Sequence, residues 1–153
     1  MNSPRAQVYI SGPLTNHDDV DALKAFYERI SELCRRKGME VYIPHTQGTD
    51  PALNPDIHPK DVYLRDMRQV ARADLVIAYV GPPSHGVGAE IERAYHANVD
   101  VILLYEHKAK VSRLIRGCPA VVEQVVFSSF ADAPDALEKL DIALDRWLAQ
   151  KSG

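Results

Sequence analysis

Residues 74–106 read "DLVIAYVGPPSHGVGAEIERAYHANVDVILLYE". Two apolar runs, 75–80 and 100–106, enclose a turn rich in Pro and Gly and a helical stretch, 89–98. The second run, "DVILLYE", is continuous rather than alternating, as in a strand covered on both faces of a parallel sheet. Strand, helix and parallel strand in that order form a right-handed crossover, the building unit of a layered α/β fold.

The rest of the chain extends this unit. "QVYIS" (7–11) is a β-branched and aromatic run that stops at Gly12-Pro13. Residues 16–38 carry Val20, Leu23, Phe26, Tyr27, Ile30, Leu33 and Cys34 at helical spacing. Asn16, Asp18 and Asp19 suit that helix's start, Arg35-Arg36-Lys37 its negative end, and Gly38 the position just past it. A short strand at 40–44 leads into the one long loop, 45–60, rich in turn formers. A helix follows at 61–74, with Val62, Leu64, Met67, Val70 and Ala71 facing inward. Beyond the central unit come a short helical or irregular segment, a strand in "VVFSSF" (125–130) and a closing helix carrying Leu137, Leu140, Ile142, Leu144, Trp147 and Leu148. The expected architecture is one domain, 1–153: a doubly wound, Rossmann-like or flavodoxin-like parallel sheet of five strands with helices on both faces. Ligands bind such sheets beyond the carboxyl ends of the strands. That rule gathers residues 11–16, 45–50, 82–90 and the stretch after Glu106 into one place.

A net charge of −3 argues against a nucleic-acid polymer bound on a broad basic surface. The two cysteines, Cys34 and Cys118, show no metal-ligand spacing and read as reduced thiols of a cytoplasmic protein. Neither a signal-peptide core nor a run of membrane-spanning length stands out, so no membrane partner is expected.

The loop "SHGVG" ahead of a helix offers two glycines for close backbone approach, free N–H groups and a positive dipole end, which suits a phosphate. A plain strand–helix turn explains the same residues. Glu90, in the first turn of the predicted helix, is either a dipole-favoured acid or a reactive carboxylate. Asp66 is either a solvated helix charge or its partner, because glycosyl cleavage needs two carboxyl groups converging on one bond. Asp74 reads as structural, and Trp147 as core.

"VYISGPLTN", "LRDMRQVARADLVIAYV", "PSHGVGAEIERAYHANVDVILLY" and "VSRLIRG" together resemble the nucleoside 2-deoxyribosyltransferase superfamily. Within it they are most similar to the nucleotide N-hydrolases. The most specific element is P-S-x-G-V-G-x-E, with an aspartate 24 positions before the glutamate. The resemblance implies that Glu90 is the nucleophile at C1′, Asp66 the acid/base group, and Tyr9 the residue that orients Glu90. It implies substrate contacts at Ser84, Gly86, Gly88, Ser112, Gly12 and His45. No metal or organic cofactor is called for, and a homodimer is expected.

Ser84 lies where transferases of free nucleosides carry an aspartate, so it favours a 5′-phosphate. "GPLTN" departs from the hydrolases, which place a serine and an arginine there; Arg116 or Lys60 is the candidate replacement cation. The leading expectation is an N-glycosidase releasing base from nucleoside 5′-monophosphates. A 2′-deoxyribosyltransferase and a non-catalytic nucleotide sensor are the alternatives.

Overall fold

The computed structural model describes residues 3–15, 17–131 and 133–153. Five strands, β1 (Gln7–Ser11), β2 (Glu40–Tyr42), β3 (Leu75–Tyr79), β4 (Asp100–Glu106) and β5 (Val121–Phe127), form one sheet in the order β2-β1-β3-β4-β5. Every neighbouring pair is parallel. Helices α1 (Val20–Arg36) and α5 (Ala133–Lys151) cover one face; α2 (Pro59–Arg72) and α3 (His85–His96) cover the other. A four-residue helix, α4 (Arg113–Arg116), joins β4 to β5. This is the doubly wound α/β sheet expected from the sequence.

Strand alternation sorts β1 between two cores. Val8 and Ile10 pack with Leu23, Phe26 and Leu144 on the α1/α5 side, whereas Tyr9 packs with Val70, Ile91 and Ala94 on the α2/α3 side. Ser11, two residues after Tyr9, shares its face. The strand order reverses between β1 and β3, so the crevice at their carboxyl ends is the topological switch point where such sheets take ligands. At the opposite end, Asp74 accepts from the Gln7 amide at 2.8 Å and ties the start of β3 to β1, the structural role expected of it. Trp147 is buried, as expected.

Several boundaries differ from the sequence expectation. Strand β2 ends at Tyr42, because Pro44 opens a 3₁₀ turn at Pro44–Thr46. Strand β5 begins at Val121 rather than 125; it is an edge strand whose first half alternates half-buried with exposed residues, a weak apolar signal. Helix α3 begins at His85, four residues earlier than expected, because Ser84 caps it. Leu64 is 47% exposed rather than inward, since burial on α2 is confined to its second half. Ile142, at 53%, lies off the buried Leu140, Ala143, Leu144, Trp147 stripe of α5. On α1, Asp19 is the cap, accepting from the Ala22 amide at 2.9 Å; Asn16, also assigned to the helix start, lies outside the described residues.

Gly12 is required by packing. A Cβ there would come within 2.3 Å of the Tyr27 ring, whose hydroxyl donates to the Pro13 carbonyl at 2.9 Å. Gly12→Ala is expected to destabilise the protein by roughly 1–3 kcal/mol through overpacking. Urea denaturation measures this, and an unchanged midpoint would show that Tyr27 yields freely.

Candidate active site

The carboxyl end of β1 holds the polar groups that meet α2 and α3. Ser11, fully buried, donates its hydroxyl to Glu90 Oε1 at 3.1 Å. Glu90 lies in the second turn of α3, not the first, because the helix starts early. That extra turn carries its side chain back over the end of β1. Glu90 Oε2 and the Tyr9 hydroxyl are both shut away from solvent, and neither makes a hydrogen bond of regular geometry within the protein. The Tyr9 ring stacks on Tyr42 of β2, with centroids 5.6 Å apart, which holds its hydroxyl in place.

Burial pushes the Glu90 carboxyl from its ordinary 4.5 up to about 7, and the negative charge of Asp66 adds to the rise. Tyr9 and Ser11 oppose it by stabilising the ionised form. Asp66, half-buried on α2, is raised to about 6, again mainly by burial, against the pull of Thr49 and Arg65. Tyr9 is raised by burial and then by the charges of both Glu90 and Asp66. The two carboxyls and Tyr9 therefore share one electrostatic neighbourhood, which a spacing of 24 residues could not reveal.

A second group forms where α3 begins. The Ser84 hydroxyl oxygen accepts from the Val87 amide at 3.3 Å, leaving its own proton free to donate. The N–H groups of His85 and Gly86, in the first turn, have no intrahelical acceptor. Added Cβ atoms at Gly86 and Gly88 would approach no protein atom closer than 3.8 Å, so packing within the free protein does not demand glycine at either place. Gly86 and Ser84 line a cavity of about 250 Å³ with Thr15, Pro83 and His85. Gly88 and Ser84 line another, of about 320 Å³, that Ser112 and Lys110 reach from the far side. Ser112 also caps α4, accepting from Leu114 at 3.2 Å. The cation lining this cavity is Lys110, rather than Arg116 or Lys60.

His45 is buried against α1, with its Nε2 3.2 Å from Glu28 Oε1 and its Nδ1 shut from solvent without a partner. The structure thus brings Glu90, Asp66 and Tyr9 together, places Ser84, Gly86 and Gly88 at the start of the helix that carries Glu90, and sets Ser112, the cap of α4, on the cavity that Ser84 and Gly88 line. It gives Gly12 a packing role next to Tyr27. Ser11, Thr49 and Lys110 lie in the loops that the sequence gathered at this edge but were not singled out there, and Tyr42 was missed. For Ser11 a signal existed, since it follows Tyr9 by the strand period of two. Among the described residues no group of three or more His, Cys, Asp or Glu side chains is arranged to hold a metal, and no helix is long and apolar enough to cross a membrane.

A model of the nucleoside 2-deoxyribosyltransferase family matches residues 8–137, and the chain belongs to that family. The protein of Thermofilum pendens named "Putative 2′-deoxynucleoside 5′-phosphate N-hydrolase 1" is 31% identical over 140 residues, which cover 90% of this chain and 94% of the relative. A protein of the same name from Methanosarcina barkeri is 31% identical over 116 residues, 74% of this chain and 70% of its own. Among solved structures, the Clostridium botulinum CMP N-glycosidase shares the fold with a TM-score of 0.68 at 24% identity, over 90% of this chain and 98% of that one. The 2-deoxyribosyltransferase of Bacillus psychrosaccharolyticus does so with a TM-score of 0.59 at 18% identity, over 83% and 89%. At the level of the family, the chemistry is hydrolysis or transfer at a nucleoside or nucleotide.

A carboxyl whose folded-state value is raised binds its proton more tightly folded than unfolded. For Glu90, stability therefore falls as pH climbs from its ordinary 4.5 through about 7, and the full cost is present above that. Glu90→Gln removes this titration. The variant is expected to match wild type below about pH 4 and to exceed it above about pH 7, by roughly 3 kcal/mol at most. Denaturant unfolding across that range provides the check, and a constant offset at all pH values would show that Glu90 is not strained by its charge.

Proposed function

We propose that the protein is an N-glycosidase that hydrolyses nucleoside 5′-monophosphates to free base and sugar 5-phosphate through a covalent ester of Glu90. The observation that carries this reading is the Glu90 carboxyl, sequestered at the β1/β3 switch point between Ser11 and Tyr9 with Asp66 across from it. Glycosidic bonds break through an oxocarbenium-like state, which an ionised carboxylate beneath C1′ stabilises and then traps. One Glu90 oxygen forms the bond to C1′ as the C1′–N bond breaks, and Asp66 passes its proton to the departing base. Water then attacks C1′, Asp66 takes its proton, and Glu90 leaves as carboxylate, with configuration retained overall. Donation from Ser11 and the nearby Tyr9 hydroxyl favour the ionised, nucleophilic form of Glu90, against a burial that favours the neutral one.

The 5′-phosphate is assigned to the start of α3. Ser84 and the free first-turn amides supply donors, and Gly86 and Gly88 admit the substrate at a cost in helix propensity of about 1 kcal/mol each. Ser112 and Lys110 face the same cavity, so Lys110 supplies the cation that "GPLTN" lacks. Gly12 and His45 border the sugar and base. The names of the N-hydrolase relatives agree with this assignment. The proposal extends to a cytoplasmic, single-domain subunit and to a homodimer, the last supported by Tyr63, Leu64 and Tyr95, which stand exposed on α2 and α3.

"GPLTN" still favours a second reading, transfer of deoxyribose between bases on free nucleosides. Base release from a panel of nucleoside monophosphates, with and without an acceptor base, tests the choice. Release without acceptor is expected from wild type, and none from Glu90→Gln. Transfer only in the presence of acceptor would establish the second reading, and failure on both would sink the catalytic one.

Ser84→Asp separates the substrates more sharply. Aspartate caps helices as well as serine does, so α3 stays folded. The new carboxylate faces a phosphate carrying between one and two negative charges. KM for monophosphates is expected to rise by roughly two orders of magnitude or more, while free nucleosides are unharmed or improved. Measuring kcat/KM for a matched nucleotide and nucleoside on both proteins gives the contrast; equal losses would remove the phosphate from this corner.

A further inference from the structure

Thr49 sits in the long loop after β2, buried to 5% exposure between two acceptors. Its Oγ1 is 3.1 Å from the Pro44 carbonyl oxygen and 3.3 Å from Asp66 Oδ1. A threonine hydroxyl has one proton, so it donates to only one of these at a time. The Pro44 carbonyl also accepts from the Gln47 amide at 3.0 Å, and so stays satisfied when Thr49 turns away. With its proton on Pro44, Thr49 presents a lone pair to Asp66 and accepts from a neutral carboxylic acid. With its proton on Asp66, it stabilises the carboxylate. A rotation of the hydroxyl alone connects the two arrangements.

The loop is built to hold this oxygen still. Gly48 adopts a positive φ of 90°, which sets the turn ahead of Thr49. Asp50, its other neighbour and almost fully buried, is clamped by Lys24 of α1 at 2.5 Å and by the Ala52 amide at 2.9 Å. The β-branched side chain further restricts χ1. Such clamping is more than a mobile surface loop requires.

We propose that Thr49 is a positioning residue for Asp66, a hydroxyl pivot that accepts from the acid and donates to the carboxylate in turn. The inference rests on the role of Asp66 proposed above, because only a group that gives up and regains a proton in each cycle needs both arrangements. The other charged or titratable groups facing Asp66 are Arg65 on its own helix, Tyr9 on β1, Tyr42 on β2 and Glu90 on α3. Tyr9 and Tyr42 also carry neutral hydroxyls, but it is Thr49 whose hydroxyl lies within hydrogen-bond distance of the Asp66 carboxyl.

The test compares wild type with Thr49→Val, which keeps the shape and removes the hydroxyl, and with Thr49→Ser, which restores it. The first measurement is kcat/KM on a nucleoside 5′-monophosphate and on a nitrophenyl glycoside of the same sugar phosphate, whose leaving group departs with little need of a proton. Thr49→Val is expected to lose roughly tenfold on the nucleotide and little on the nitrophenyl substrate, with Thr49→Ser recovering most of the loss. Equal losses on both substrates, or no rescue by serine, would overturn the pivot.

The second measurement follows the Asp66 carboxyl directly by carbon NMR titration. The bond donated to the carboxylate is charge-assisted and stronger than the one accepted from the acid, so losing the hydroxyl is expected to move the titration to higher pH in Thr49→Val and back toward wild type in Thr49→Ser. An unmoved titration overturns the proposal. If wild type cleaves no nucleotide, the catalytic reading fails, while the titration still decides whether Thr49 governs the proton on Asp66.

Discussion

A single buried carboxyl sets the terms for the upper half of this molecule. Glu90 stays near the end of β1 only because α3 begins at His85 and completes a full turn before reaching it. The residues around it answer to that burial. Ser11 donates to one of its oxygens, Tyr9 faces it from the same strand, and the Tyr9 ring is fixed by stacking on Tyr42. Desolvation alone would hold the carboxyl neutral near pH 7, and Asp66 across the crevice pushes in the same direction. Polar neighbours pull the other way. The result is a group poised between its two forms near neutral pH, a perturbation of the kind that clusters at functional sites.

The same region shows where stability is given up. Two glycines occupy the first turn of α3 although no protein side chain crowds them, and a carboxylate is kept where its charge is poorly solvated. Both choices weaken the free protein, and both fit the ligand proposed in front of the helix. Elsewhere the fold is conservative. Gly12 is forced by the Tyr27 ring, and the ends of β1 and β3 are stapled by reciprocal bonds between Gln7 and Asp74. The long loop after β2 is tied down at its start, where Lys24–Asp50 and Thr49–Asp66 join it to α1 and α2, while its later residues are mostly exposed.

Much of this was legible in the chain. Local signals carry far when one residue type has one physical use. "DVILLYE" is apolar without alternation and became the doubly covered β4, and Asp19 with Gly38 bracketed α1. Signals failed where two uses compete. Ser84 reads equally as a turn or as a cap, and reading it as a turn set the start of α3 four residues late. Leu64 and Ile142 fit a helical period yet lie off the buried stripes, because periodicity says that a face is apolar without saying how far along the helix a partner extends. Val121–Gln124 carry an edge strand's diluted pattern, and the beginning of β5 was lost in it.

By itself, then, the sequence determined the alternation of strands and helices, and hence a parallel sheet whose carboxyl edge collects the polar loops. Resemblance to a known family also singled out Tyr9, Asp66 and Glu90 before any geometry existed. The tertiary structure decided the surroundings of those residues. Burial cannot be read from a chain, because it depends on which distant segments pack together. It is burial that raises Glu90 and Asp66 and brings Ser11 within 3.1 Å of a residue 79 positions away. Thr49 marks the same boundary. Nothing adjacent in the sequence distinguishes it from any polar loop residue, and only the packing of a clamped loop against α2 places its one proton between a carbonyl and a carboxyl.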